Sequence, residues 1–239
     1  MQIESKYLNY SVGAITFEAY CAYQPSRQKQ PAVLVAPAWA GRGDFVCQKA
    51  EMLAKMGYVG IAIDVYGEGK VGHSKEQNSA MMLPLLNDRE ILRDRLAAAF
   101  AATCELPEVD VTRIAAMGYC FGGLCVLDMA RHNFALKSVI SFHGLLSDCH
   151  VSKPLAISSS ILVLHGHEDP MVTPEDVIHF EKEMSRRQAD WQMHIFGNTM
   201  HAFTNPKAND KDFGTVYHPI SDNRSWRYAI DFLAETLKG

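Results

Sequence analysis

No apolar run in this chain of 239 residues approaches the roughly 20 that a membrane-spanning helix requires. No lipidation motif shows at either end, so no membrane partner is expected. Basic residues are not in excess. Lys and Arg number 23 against 27 Asp and Glu, giving a net charge of −4 and a pI near 6.2. That balance lacks the electrostatic footprint of phosphate-backbone binding, and nucleic acid is excluded as an expected partner. Six cysteines are too sparse for a disulfide scaffold. The opening Met1-Gln2-Ile3-Glu4-Ser5-Lys6 lacks the basic-then-apolar order of a signal peptide, so reduced thiols and a cytoplasmic setting are expected. With 16 Gly and 10 Pro, no internal repeat and no Pro/Gly/Ser-rich linker, neither a fibrous nor a disordered chain fits. What is present is ordinary globular composition, 48% hydrophobic and 21% charged. One domain over residues 1–239 is expected.

Short β-branched or apolar runs at Ala32 to Ala36, Val59 to Ile63, Ile114 to Met117, Ser138 to Phe142, Ile161 to Leu164 and Met193 to Phe196 read as strands. Amphipathic stretches lie between them. Asp44 to Met56 reads as a helix with Asp44 as N-cap and Gly57 past its end. Asp88 to Thr103 has Asn87 and Glu90 as a capping pair, and Ile91, Leu92, Leu96 and Phe100 on one side. Pro174 to Arg187 follows Thr173 as N-cap, and a last helix carries Trp226, Ile230, Leu233 and Leu237 on one stripe. Strands alternating with helices predict a mainly parallel, doubly wound α/β sheet with helices on both faces. The least patterned stretch, 66–86, reads as a pocket-lining loop or lid.

The chemistry centres on Gly118-Tyr119-Cys120-Phe121-Gly122, between the strand Arg113 to Met117 and an apolar helix from Gly123. In a strand–turn–helix this G-x-C-x-G spacing makes a nucleophile elbow, a turn so sharp that flanking side chains would strike neighbouring backbone. The turn exposes Cys120 at the positive end of a helix, where thiolate is favoured over thiol. Downstream, Ile161 to Asp169 is a strand running into a loop that ends on an acid, and Asn198 to Phe203 is a loop carrying His201. The order Cys120, Asp169, His201 is the chain order of an α/β-hydrolase triad. His201 would move the proton and Asp169 would hold its tautomer. Oxyanion donors would be the backbone N–H groups of Phe121 and Trp39, the latter directly after an early strand.

At these residues the chain resembles the dienelactone hydrolase family, cysteine hydrolases of the α/β-hydrolase fold that open lactones and related esters. The resemblance rests on Gly118 to Gly123, Asp64-Val65-Tyr66, His165-Gly166 with Asp169, and Met200 to Pro206. It implies the same triad and no cofactor, with Ala38, Glu68 and Asn205 at its substrate-contacting positions. Trp39, Tyr66 and Phe203 are further candidates for the pocket wall; Trp39 can equally be a core ring, and His143, which ends a strand on the same edge, either lines the pocket or is a hydrogen-bonded structural histidine. Two departures matter. The family's gating glutamate is replaced by Ala38, and its two carboxylate-gripping arginines correspond to Asn205 and about Glu68. A neutral ester or lactone is therefore the expected small-molecule substrate, and a dianionic dienelactone is not.

His165, His167 and Glu168 with Cys149 and His150 match no ligand spacing, so no metal is expected. Cys21, Cys47, Cys104 and Cys149 are expected as reduced structural thiols. Three other readings stay open: a phosphotriester hydrolase using the same sulfur, a non-catalytic binding protein, and a thiol redox enzyme in which Cys125 resolves Cys120. The chain would act as a monomer or homodimer.

Overall fold

The computed structural model describes residues 2–151 and 155–238, in two compact units, 1–117 and 118–239. The first unit opens with strands β1 (Glu4–Val12) and β2 (Ile15–Tyr23), followed by β3 (Gln30–Ala36), helix α1 (Asp44–Lys55) and β4 (Val59–Ala62). Helices α2 (Lys75–Asn87) and α3 (Arg89–Cys104) and strand β5 (Val109–Tyr119) complete it, the last two residues of β5 lying in the second unit. The strands lie in the order β1-β2-β4-β3-β5. β3 and β4 are parallel, while β1 with β2 and β2 with β4 are antiparallel. Strands β3 and β4 are buried almost throughout, which is why they read as unbroken apolar runs.

The second unit holds α4 (Phe121–Arg131), β6 (Ser138–Phe142), β7 (Ser160–Gly166), α5 (Pro174–Arg186), β8 (Trp191–Phe196), the short pair β9 (Asn209–Asp210) and β10 (Thr215–Val216), and α6 (Pro219–Lys238). β6, β7 and β8 run parallel, in that order. The expected alternation is present: β6 has the expected bounds, β4 and α1 end one residue early, and the other boundaries move by up to five residues. Thr173 and Asp176 form a full capping box at α5.

Four local expectations need correction. Gly43, not Asp44, is the N-cap of α1, and Asp44 instead favours the dipole from the first turn. At α3 the cap is Asp88, whose Oδ1 accepts the Glu90 and Ile91 N–H groups, and Asn87 ends the preceding helix. Ile91 faces solvent at 46% exposure, leaving Leu92 and Leu96 as the buried stripe. Residues 75–86 of the stretch 66–86 are helical, part of α2, which is started by Ser74, whose Oγ accepts the Gln77 N–H. Met81, Met82, Leu83, Leu85 and Leu86 surround that helix instead of marking one side, so periodicity did not reveal it. No described helix is long and apolar enough to cross a membrane.

The C-terminal end of α4 is tied down by Arg131, which is fully buried. Its guanidinium pairs with Glu183 (2.8 Å) and Asp128 (3.2 Å) and donates to the carbonyls of Leu146 and Ser147, both at 2.9 Å. It therefore holds the chain after β6 against α4 and α5. Replacing Arg131 by Ala strands a buried carboxylate, and the folding free energy should fall by about 3–5 kcal/mol in a denaturant titration.

Candidate active site

Cys120 is the N-cap of α4, with φ 55 and ψ −117, a conformation that only a tight and over-determined turn maintains in a non-glycine residue. Its N–H donates to the Phe142 carbonyl at 3.0 Å, fastening the turn to the end of β6. A Cβ on Gly118 would lie 1.9 Å from the Gly122 carbonyl oxygen, so the elbow closes only around glycine. The cysteine itself is half-buried and reachable, while Phe121 behind it is fully buried. Phe121 is the first residue of α4, which puts its N–H at the positive end of the helix dipole.

His201 stands on the loop after β8. Its N–H donates to Gly214 (3.0 Å) and its carbonyl accepts from Val216 (3.0 Å), so the histidine backbone is held by β10. Its Nδ1 lies 2.6 Å from Asp169 Oδ2, with both side chains excluded from solvent. Asp169 Oδ1 accepts the Met171 N–H at 2.9 Å, which fixes the carboxylate from behind. Besides Asp169, Cys120 acts on the His201 imidazole, and the His143 ring packs against it at 5.2 Å. Burial pushes the imidazole pKa down. The charge on Cys120 and the Asp169 hydrogen bond outweigh this and hold it up at about 10. The ring therefore keeps its proton while the sulfur is a thiolate.

Sequence reasoning missed what brings the acid and histidine loops together. A Cβ on Gly166, at the end of β7, would sit 2.5 Å from the Thr199 carbonyl oxygen, so the histidine loop rests directly on the strand that delivers Asp169. The only sequence signal was a glycine where the strand pattern stops.

Of the remaining expected residues, those in the first unit form their own cluster. The Asp64 carboxylate is buried and accepts four amides, from Glu18 (3.1 Å), Tyr66 (2.9 Å), Gly67 (3.0 Å) and Gly69 (2.8 Å). The turn it shapes lets the Tyr66 hydroxyl donate to the Trp39 carbonyl at 2.9 Å. Ala38 is half-buried beside Trp39. Glu68 turns to solvent and pairs with Lys70 at 3.0 Å. In the second unit, Asn205 Oδ1 accepts the Lys207 N–H at 3.0 Å within its own loop. Phe203 and His143 do not face solvent: they are 0% and 2% exposed, the His143 ring packing against His201 and Phe203 against His143. Cys125 is fully buried within α4, and Cys149 lies 3.7 Å from His132 Nε2. Among the described residues, no group of three or more His, Cys, Asp or Glu is arranged to hold a metal ion.

The family model of the dienelactone hydrolases matches residues 17–237. The chain belongs to the dienelactone hydrolase family. Among relatives, an uncharacterized protein of Caenorhabditis elegans is 39% identical over 149 residues, 61% of this chain and 94% of its own. A protein of Bradyrhizobium named as a probable 2-oxo-3-(5-oxofuran-2-ylidene)propanoate lactonase is 28% identical over 231 residues, 92% of this chain and 90% of its own. Among solved structures, the dienelactone hydrolase-like promiscuous phosphotriesterase P91 from metagenomic libraries is 30% identical, covers 99% of each chain and superposes with a TM-score of 0.92. This dienelactone hydrolase-like protein thus has the α/β-hydrolase fold and is a hydrolase by family.

Two substitutions probe the geometry. Asp169→Asn removes a bond that raises the imidazole pKa, so the imidazolium is weakened and stabilises a thiolate on Cys120 less. The pH midpoint of iodoacetamide alkylation at Cys120 should rise, and ester turnover should fall by as much as about 10⁴-fold. Gly166→Ala should part the two loops and lower turnover by about 10²-fold, measured under the same conditions.

Proposed function

We propose that the protein hydrolyses neutral carboxylic esters or lactones, with Cys120 as nucleophile, His201 as proton carrier and Asp169 as its anchor. The observation that carries this reading is the dry 2.6 Å contact between His201 and Asp169, on an imidazole whose other charged neighbour is the sulfur of the elbow. Cys120 thiolate attacks the carbonyl carbon, and the oxyanion develops toward the N–H of Phe121. The Trp39 amide keeps its assignment as second donor on sequence grounds. The imidazolium then gives its proton to the departing alkoxide, leaving a thioester on Cys120. Acylation removes the negative charge that held the ring's pKa up, so the neutral imidazole becomes a base able to take a proton from water. Attack by that water releases the acid and restores the thiolate–imidazolium pair. The family match runs through both compact units, and both are proposed to serve one catalytic domain.

Neutral substrates follow from the charges. Glu68 and Asn205 supply no cation where a carboxylated lactone would need one, and Glu68 is itself paired with Lys70. The Bradyrhizobium relative is named for a carboxylated lactone, so its name favours lactone ring-opening, while the preference for neutral substrates rests on Glu68 and Asn205 alone. A second reading is favoured by the likeness to P91. Phosphotriesters are also neutral, and attack at phosphorus likewise places charge on an oxygen.

The test is hydrolysis of p-nitrophenyl acetate, a neutral five-membered lactone, its dicarboxylated analogue and diethyl p-nitrophenyl phosphate. The wild type should turn over the ester and the neutral lactone, with little action on the dicarboxylate. Cys120→Ala should lose about 10³-fold or more. Faster cleavage of the dicarboxylate than of the neutral lactone would contradict the substrate class. Undiminished turnover by Cys120→Ala would contradict the nucleophile.

A further inference from the structure

We propose that His143 is a positioning residue, seating the His201 ring against Cys120 through its hold on Thr204. The inference rests on the reading of Cys120 and His201 as the reacting pair. His143 follows β6 directly, in a left-handed conformation with φ 37, and its N–H donates to the Leu164 carbonyl of β7 at 2.8 Å. Such a backbone in a non-glycine residue costs about 1–3 kcal/mol unless its surroundings enforce it. What the strained turn achieves is placement of a ring. The imidazole of His143 lies edge to face with His201 at 5.2 Å and 65°, and with Phe203 at 5.0 Å and 80°. Its Nε2 meets Thr204 Oγ1 at 2.8 Å, wholly out of solvent. Phe203 and Thr204 belong to the loop that carries His201, so His143 grips that loop at a point three residues beyond the reacting ring.

The residue before His143 holds the other reactant, because the Phe142 carbonyl accepts the Cys120 N–H at 3.0 Å. One dipeptide at the end of β6 therefore ties down the nucleophile through its backbone and the histidine through a side chain. An apolar ring of similar volume would fill the space but leave Thr204 Oγ1 without this partner, and a buried polar pair is retained at a cost that simple packing does not explain. The titratable groups facing His201 are Cys120 at the start of α4, Asp169 and His165 from β7 and its loop, and His143 from β6.

The test uses the full chain carrying His143→Phe, Thr204→Val, both together, or His143→Gln. Three quantities are read: the pH profile of Cys120 alkylation, kcat and KM for p-nitrophenyl acetate, and the thermal midpoint. In His143→Phe and in Thr204→Val the alkylation midpoint should rise by about one pH unit, equivalent to a tenfold loss of thiolate at fixed pH. kcat should fall about tenfold with KM changed less than about twofold. The double variant should be no worse than the poorer single one, since both remove one link, and His143→Gln should recover most of the loss. A wild-type alkylation profile in His143→Phe, or additive losses in the double variant, would overturn the proposal. Should His143→Phe not fold, Thr204→Val reads the same link with His143 in place. Absence of any Cys120-dependent ester hydrolysis by the wild type would defeat the proposed function alone, because the alkylation profile judges His143 without a substrate.

Discussion

An imidazole sealed from water ordinarily gives up its proton, and the chemistry read from this chain depends on His201 keeping it. Burial opposes the charge, and two neighbours outweigh burial: the Asp169 carboxylate at 2.6 Å and the sulfur of Cys120. The arrangement is conditional by construction. In the proposed reaction the sulfur charge supports the proton and the proton supports the sulfur charge, and acylation of the sulfur would leave Asp169 as the remaining support. A ring that must donate in one half of a reaction and accept in the other is well served by that dependence.

Backbone geometry sets the distances on which this pair depends. Cys120 is held in a strained turn closed around Gly118 and bonded to Phe142. His201 is bonded on both sides to the chain around β10, and its loop lies on Gly166 so closely that a methyl group would not fit. Asp169 follows three residues later on the same chain as Gly166. Cys120, His201 and the strand leading to Asp169 are thus each held by main-chain contacts. The Asp64 carboxylate does comparable work in the first unit, gathering four amides into the turn that brings Tyr66 to Trp39.

Much of this was legible in the sequence because the signals were local. Strands buried on both faces spell themselves as apolar runs, and Thr173-Pro174 with Asp176 specifies a helix start within four residues. The glycine spacing around Cys120 can be satisfied by few backbones. What the sequence concealed depends on contacts between distant segments. Helix α2 forms with apolar residues on every side, so no stripe marks it. The cap of α3 moved by one residue because Asp88 and Asn87 are both competent and only the geometry of the α2–α3 junction chooses between them. For His143, at a strand end, the sequence allowed either pocket lining or a hydrogen-bonded structural histidine, and Phe203 read as pocket wall; packing sets the His143 ring against His201 and Phe203, with Thr204 as the polar partner of His143.

Mass spectrometry of the enzyme quenched within one turnover of p-nitrophenyl butyrate tests the central claim most directly. A butyryl group should be found on the peptide containing Cys120, lost on treatment with neutral hydroxylamine as a thioester is, and missing from the Cys120→Ala variant. A butyryl group on any other residue, or hydrolysis by Cys120→Ala at the wild-type rate with no adduct, would contradict it.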